Sequence, residues 1–375
     1  MKTRHQLLLP YFAALASAAY IPHAQPICKE LKLAIETTAQ NWHFPAYPNA
    51  TDKGALLSYI SKTLPASNFS AKPRQTVSGT FNIAATFCEP MNRTYWSGLN
   101  YPNASFDGEY SWVHHATSLG YSTLSIDNLG NGESDHPDPV DVVQFPLQSQ
   151  ILLEIIHGLR AGNLSSSCIQ KKFDNVIMVT HSYGSLHGRQ LSIQHPDDAA
   201  DAYILTATAS NLVGIQTVIG TVAAGSASAY DPVRLGELPP AYIAFKSTGL
   251  KDVLYPLEDE FDPELLAYDE TFPHTFSIGE LASPKQNVAS NFTGPVMVIT
   301  GRLDPIVCDA QGNNTAHVAD CGVGKNGIPG DTIEVFPKAQ FGVYVPDRTG
   351  HNANLGYSAS EVFGAAHTFL ELNGF

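Results

Sequence analysis

The sequence predicts an α/β protein built on a mostly parallel sheet with helices on both faces. Short apolar runs recur along the chain and are separated by segments of helix length, which is the rhythm of βαβ units. Several of these runs are apolar without alternation, as strands buried on both faces are. The third observation is size: 375 residues, 43% hydrophobic and 15% charged, describe a folded chain with room for a large core. One large domain with an insertion fits this length as well as two small domains do.

The elements follow in order. Met1-Lys2-Thr3-Arg4-His5, the apolar run from Leu7 to Leu15 and Ala16-Ser17-Ala18 read as the three parts of a secretory signal peptide. Residues 1–18 are therefore expected to be removed, leaving a domain over 19–375. The apolar run is too short to span a bilayer and contains Pro10. Within 26–90 two strands are expected, around Lys32–Thr38 and at Thr80–Phe87, where Phe81, Ile83, Ala85 and Phe87 alternate. Ser122–Ile126 is a strand ending at Asp127, and Val140–Ala161 is a helix with Leu152, Ile155, Ile156 and Leu159 at helical spacing. Strands follow at Val176–Val179, Tyr203–Thr208, Val296–Thr300 and Phe341–Val345. A last helix runs from Ser358 to Leu372, with Gly374 just past its end. Between about 211 and 290 the rhythm breaks into Pro, Tyr, Phe and acidic residues, expected to form a helical or irregular cap.

The chain carries 21 basic and 35 acidic side chains, a formal charge of −14, and no basic cluster. Nucleic acid and anionic membrane surfaces are poor partners for it. Seven N-x-S/T sequons, at Asn49, Asn68, Asn92, Asn103, Asn163, Asn291 and Asn313, agree with export. So do the five cysteines. Cys308 with Cys321 can close a local loop and Cys28 with Cys88 can form a second bridge, leaving Cys168 over, although sequence does not fix pairings. There is no CxxC and no HExxH, and no metal or cofactor is expected. His114 and His115 are neighbours that point to different faces of a helix, so a structural role is expected of them.

The candidate chemistry sits at strand ends, where parallel sheets gather reactive groups. In Thr180-His181-Ser182-Tyr183-Gly184, a serine follows the strand Val176–Val179 within a turn that resembles G-x-S-x-G, with threonine at the first glycine. Small residues are needed there because the turn brings helix close to strand. Asp304 follows the strand Val296–Thr300, and His351 follows the last strand. A serine hydroxyl becomes a nucleophile when a histidine takes its proton, and a carboxylate fixes that histidine's tautomer. His181 is expected to pack beneath the serine rather than react. Asp127, in Asp127-Asn128-Leu129-Gly130-Asn131-Gly132-Glu133-Ser134, is expected to secure its turn.

The order Ser182, Asp304, His351 resembles that of the α/β-hydrolase superfamily. The motifs Cys88-Glu89-Pro90, Tyr95-Trp96, Ser125-Ile126-Asp127, His136-Pro137-Asp138-Pro139, Gly301-Arg302-Leu303-Asp304 and Thr349-Gly350-His351 are similar to those of secreted fungal members. The resemblance spans nearly all of the mature chain. It implies Ser182 as nucleophile, Asp304 as orienting acid, His351 as base and the Tyr183 backbone N–H as an oxyanion donor. It also implies a small-molecule or lipid ester as substrate, cleaved through an acyl-enzyme. A peptidase, an acyltransferase, a hydrolase of specialised metabolites and a family member without activity are the alternatives.

One part of the pattern is missing. The superfamily's third strand, which ends in the second oxyanion donor, falls between Cys-Glu-Pro and Tyr-Trp in related chains. Here only Met91-Asn92-Arg93-Thr94 lies between them, and it cannot form a buried strand. His157-Gly158 and His187-Gly188 lie in helical segments and do not replace it. Two accounts stand. Either Thr80–Phe87 is recruited as the central strand, with the loop from Cys88 to Asn92 as its oxyanion loop, or the sequence omits a segment of the functional protein. The second is favoured because the flanking motifs survive.

Overall fold

Strands β1 (Ile27–Trp42) and β2 (Arg74–Glu89) pair antiparallel over their whole length, from Ile27 opposite Glu89 to Trp42 opposite Arg74. The computed structural model describes residues 26–48, 51, 53–63, 73–90, 109–164, 169–210, 224–245, 250–271, 274–283, 288–308, 321–322 and 329–375. The expected signal peptide and Cys168 lie outside these residues. Along β1 Leu31, Leu33, Ile35, Thr37, Ala39 and Asn41 are buried, a period-two pattern that puts one face on the core, with Trp42 also buried at the strand's end. Cys28 and Cys88 face each other across the ladder and are bridged. Helix α1 (Lys53–Thr63) lies in the connection.

Helix α2 (Trp112–Ser118), capped by the Ser111 hydroxyl on the His114 N–H, leads into β3 (Thr123–Ile126). Strand β3 pairs antiparallel with β2, Thr123 opposite Cys88 and Ile126 opposite Ala85. The helix expected over 140–161 begins at Phe145 as α3 (Phe145–Ala161). Asp138 Oδ1 accepts the N–H groups of Val140 and Asp141 at 2.8 and 2.6 Å, holding a turn where the helix was expected. Pro146 fits the first helical turn, and Gly162 at φ 69° ends the helix in the left-handed region.

The second sheet is parallel, in the order β10-β9-β5-β4, from β4 (Ile177–His181), β5 (Ala202–Thr206), β9 (Pro295–Ile299) and β10 (Gln340–Tyr344). Every residue of β5 and β9 is buried. On one face lies α4 (Tyr183–Gln194), close enough that a Cβ at Gly188 would sit 2.8 Å from Leu205 Cδ2. The other face, with Ala202, Ile204, Met297 and Ile299, is covered by Val362, Phe363, Ala366 and Phe369 of the last helix.

The span expected to be a helical or irregular cap contains a third, antiparallel sheet of β6 (Ala224–Ser226), β7 (Tyr242–Phe245) and β8 (Thr275–Ser277). Among the described residues, the short helices α5 (Ala227–Tyr230), α6 (Lys251–Leu254), α7 (Pro263–Thr271) and α8 (Ile278–Ala282) accompany it. Tyr242 and Ala244 pack into the same core as Leu33, Ile83, Leu147 and Ile151, so this sheet is anchored to the body. Further along the chain come α9 (Pro305–Cys308), a 3-10 turn at Pro329–Glu334 and α10 (Ala359–Leu372).

The class is therefore α/β, with helices on both faces of a parallel sheet, as expected. The single sheet is divided. Thr80–Phe87 lies within β2 and pairs with β1 and β3, not with β4, so its recruitment as the central strand does not occur. A 16-residue ladder with β1 holds it, and β2 runs antiparallel to β3, which a strand in the parallel row would not.

Candidate active site

Ser182 stands between the last residue of β4 and the first of α4, at φ 50° and ψ −115°. A non-glycine residue there costs about 1–3 kcal/mol, and sharp strand-to-helix turns hold it in place. The turn is locked from beside and below. Ser182 N–H donates to Thr206 O at 2.9 Å, and the Ser185 hydroxyl donates to the same oxygen at 2.8 Å. Thr180, in place of the first glycine, is accommodated: its hydroxyl lies 3.1 Å from Ser185 Oγ, and a Cβ on Gly184 would stay 3.7 Å from Thr180 Cβ.

His351 reaches both partners. Its Nε2 lies 2.6 Å from Ser182 Oγ and its Nδ1 lies 2.8 Å from Asp304 Oδ2. Asp304 is fully buried and His351 nearly so. The other carboxylate oxygen, Asp304 Oδ1, accepts the N–H groups of Ile306 and Val307 at 2.9 and 3.2 Å, at the start of α9. With Asp304 as a carboxylate, Nδ1 carries the imidazole proton, Nε2 is the acceptor, and the Ser182 hydroxyl donates to it.

The loops bearing Asp304 and His351 touch directly. Leu303 N–H donates to Thr349 O at 2.8 Å and Arg302 N–H to Pro346 O at 3.0 Å. A Cβ on Gly301 would lie 2.1 Å from Gly350 O and 2.4 Å from Thr349 O. The disulfide Cys308–Cys321 closes the far side of α9, and Cys321 N–H donates to Arg302 O at 2.8 Å. From the expected cap span, Val253 O and Leu254 O accept the His351 and Asn352 N–H groups at 3.2 and 3.1 Å. Gly301→Ala is therefore expected to wedge the two loops apart. Thermal unfolding should fall by an amount that reflects about 1–3 kcal/mol. A misplacement near 1 Å should lower kcat about a hundredfold. A variant as active and stable as the parent would mean that the loops move apart freely.

His181 is the residue expected to pack beneath the serine, whereas the sequence did not single out Thr206 and Asn354, which contact its ring. His181 lies with its ring centroid 5.4 Å from that of His351, edge to face. The Thr206 hydroxyl donates to Thr180 O at 2.9 Å and lies 2.9 Å from His181 Nδ1, which Asn354 Nδ2 also approaches at 3.2 Å. Asn354 Nδ2 also donates to Thr206 Oγ1, at 3.2 Å. Burial pushes the His181 imidazole down to about 3, and the adjacent His351 acts in the same direction. A histidine whose folded pKa lies below its unfolded value near 6.5 binds fewer protons when folded. Its contribution is complete above about pH 6.5 and is lost as the pH falls towards about 3. Urea unfolding at pH 7.5, 6, 5 and 4 should show a loss on the order of a few kcal/mol, smaller in His181→Gln. An identical pH slope in parent and variant would remove His181 as the cause.

The other expectations sort plainly. Asp127 secures its turn, accepting from Glu133 N–H at 2.9 Å, with the Asp127 carboxylate filling the space beside Gly132. His187 is buried on α4 and stacked on Phe145, while His157 on α3 meets Asp198, so neither approaches Ser182. His114 and His115 lie on α2, with the His115 ring 4.9 Å from that of His367. Asn163 and Asn291 are exposed, and the other five sequon asparagines lie outside the described residues. Among the described residues, no helix is long and apolar enough to cross a membrane.

No protein-family model matches the chain, and no curated protein matches it. Solved structures do. An epoxide hydrolase from Vigna radiata is 14% identical with a TM-score of 0.47, over 78% of this chain and 95% of that one. A soluble variant of monoglyceride lipase from Saccharomyces cerevisiae, in complex with a substrate analogue, is 16% identical with a TM-score of 0.46, over 78% and 90%. A bromoperoxidase from Bacillus anthracis is 13% identical with a TM-score of 0.44, over 78% and 96%. At these values the likeness assigns no activity to this chain.

Proposed function

We propose that the chain is an exported serine hydrolase that cleaves carboxylic esters of small molecules or lipids through an acyl-enzyme. The observation that carries this reading is the continuous relay from Ser182 Oγ through His351 to Asp304, at 2.6 and 2.8 Å. The positive φ of Ser182 agrees with it, because strain of that kind persists where the surrounding structure over-determines it. Export is supported by the N-terminal segment, the two disulfides and the exposed Asn163 and Asn291.

The chemistry follows from the proton positions. Ser182 Oγ attacks the ester carbonyl carbon while its proton passes to His351 Nε2. Asp304 accepts the Nδ1–H throughout and stabilises the imidazolium without taking its proton. The carbonyl oxygen becomes an oxyanion near the Tyr183 backbone N–H at the first turn of α4. Collapse breaks the ester bond, and the alkoxide leaves as alcohol with the proton from Nε2. Water then gives a proton to Nε2, attacks the acyl carbon, and releases the acid as Ser182 recovers its hydrogen. A serine at this turn does not form the alkyl-enzyme ester that an aspartate nucleophile forms.

With Tyr183 as sole donor, turnover is expected to be about a hundred- to a thousandfold below that of a complete oxyanion hole. A second reading, a homologue without activity, draws on the division of the sheet beside β4. A fluorophosphonate probe separates the two. Labelling of the folded protein that disappears in Ser182→Ala supports the hydrolase, and absence of labelling sinks it. Short p-nitrophenyl esters assayed against peptide and amide substrates then separate an esterase from a peptidase.

A further inference from the structure

The His351 ring makes two hydrogen bonds, to Asp304 and to Ser182, and the second cannot hold it through a reaction. Once Ser182 Oγ bonds to carbon, Nε2 must serve the leaving alkoxide and then water. The ring therefore needs restraint from atoms that take no part in the chemistry.

The expected cap span supplies them. Its segment from Val253 to Glu260 runs against the loop from Arg348 to Tyr357. Val253 O and Leu254 O accept the His351 and Asn352 N–H groups, and Glu260 O accepts that of Tyr357 at 3.0 Å. A Cβ on Gly350 would lie 2.2 Å from Pro256 Cδ and 2.9 Å from Leu254 O, so the residue before the histidine is in direct contact with this segment. At the surface Arg348 pairs with Asp259 at 2.7 Å and with Glu260. Exposed ion pairs of that kind contribute little.

One contact differs, because side chains make it in a buried place. Tyr255 is buried, with its ring stacked on Phe261 at a centroid distance of 4.7 Å. Its hydroxyl oxygen accepts from Asn352 Nδ2 at 3.2 Å. Burial pushes the Tyr255 hydroxyl up to about 12, so it keeps its proton. Asn352 directly follows His351, and its side chain is also a hydrogen-bond partner of His181. The His181 ring meets that of His351 edge to face, and Asn354 Nδ2 lies 3.2 Å from His181 Nδ1. The catalytic imidazole is thus backed by a second ring, gripped by the residues one and three places after it.

We infer that Tyr255 and Asn352 are positioning residues for His351. The Tyr255 hydroxyl holds the Asn352 side chain, which fixes the loop and the His181 ring behind the imidazole. Their role rests on the triad proposed above. It gives the cap span a task in turnover apart from admitting substrate.

The decisive variants are Tyr255→Phe, which keeps the ring and removes one oxygen, Asn352→Ala, and the two combined. Circular dichroism checks that each is folded. Acylation and deacylation both pass a proton through His351, so on a p-nitrophenyl ester kcat should fall about tenfold in each single variant. That is less than the roughly hundredfold cost of a 1 Å misplacement, and KM should stay within about twofold. Because the pair acts as one unit, the double variant should lie within about twofold of Asn352→Ala. Unchanged kcat in both single variants, a change in KM alone, or losses that multiply in the double variant would overturn the inference. Proton NMR reads the same placement without turnover. The His351 Nδ1–H line should be sharp in the parent and broaden in both single variants as the ring loosens. A line equally sharp in all three overturns the inference. Broadening in a parent chain that no fluorophosphonate labels would support the positioning and remove the hydrolase reading alone.

Discussion

Ser182→Ala is expected to lower ester turnover by about ten-thousandfold while leaving the protein folded. Loss of an entire serine triad removes roughly a millionfold, and a chain already short of one oxyanion donor has about a hundredfold less to lose. The Ser182 side chain makes one described hydrogen bond, to His351, so its removal leaves the turn to be held by backbone and Ser185. Stability should respond in the opposite sense. Ser182→Gly at φ 50° removes a Cβ penalty and should raise the unfolding free energy by about 1 kcal/mol while abolishing turnover. Initial rates on a p-nitrophenyl ester with urea titrations of parent, Ala and Gly variants give both numbers. Retention of more than a few per cent of activity in Ser182→Ala would mean that another group attacks the substrate.

Asp304→Asn should cost about a thousand- to ten-thousandfold in kcat, more than loss of a charge alone suggests. The reason lies in the other oxygen. Asp304 Oδ1 accepts two backbone N–H groups, from Ile306 and Val307. An asparagine must keep its oxygen there and so turns its NH2 towards His351 Nδ1. The imidazole then moves its proton to Nε2 and can no longer accept from Ser182. The fold should survive, since the cap on α9 is kept and the pair stays hydrogen-bonded. Steady-state kinetics with circular dichroism checks this. A variant within tenfold of the parent would show that the tautomer of His351 is not set by residue 304.

How much of this was legible in the chain depended on whether a residue's partners were local. The β4, β5, β9 and β10 strands came within two residues of their expected ends, most plainly for β5 and β9, whose residues are buried throughout and largely apolar. Ser182, Asp304 and His351 were readable by their place after such runs. The outer halves of β1 and β2 were not, since Thr37 and Asn41 occupy buried positions and dim the alternation. Asn41 is held there by the Asp141 and Val142 carbonyls, about a hundred residues away in sequence. The late start of α3 depends on Asp138, whose side chain competes for the backbone that a helix would use. The antiparallel sheet of β6, β7 and β8 is made of three- and four-residue strands, too short to carry a period. Thr206 and Asn354, which contact His181, sit near the site only through the fold.

The division of the sheet also bears on how the molecule comes apart. Among the described residues no strand pairing links the β1–β3 ladder to the four-stranded parallel sheet, and the two halves meet through α2, α3 and their neighbours. Cooperative melting depends on each part losing its contacts when another opens, and a continuous sheet enforces that more strictly than helical cover does. The halves carry separate reporters. Trp42 sits in β1 under the Arg74 guanidinium, 3.5 Å from its ring centroid, and Trp112 packs on Phe363 of α10. Their fluorescence should change at different urea concentrations, so no single midpoint describes this chain until the two curves coincide.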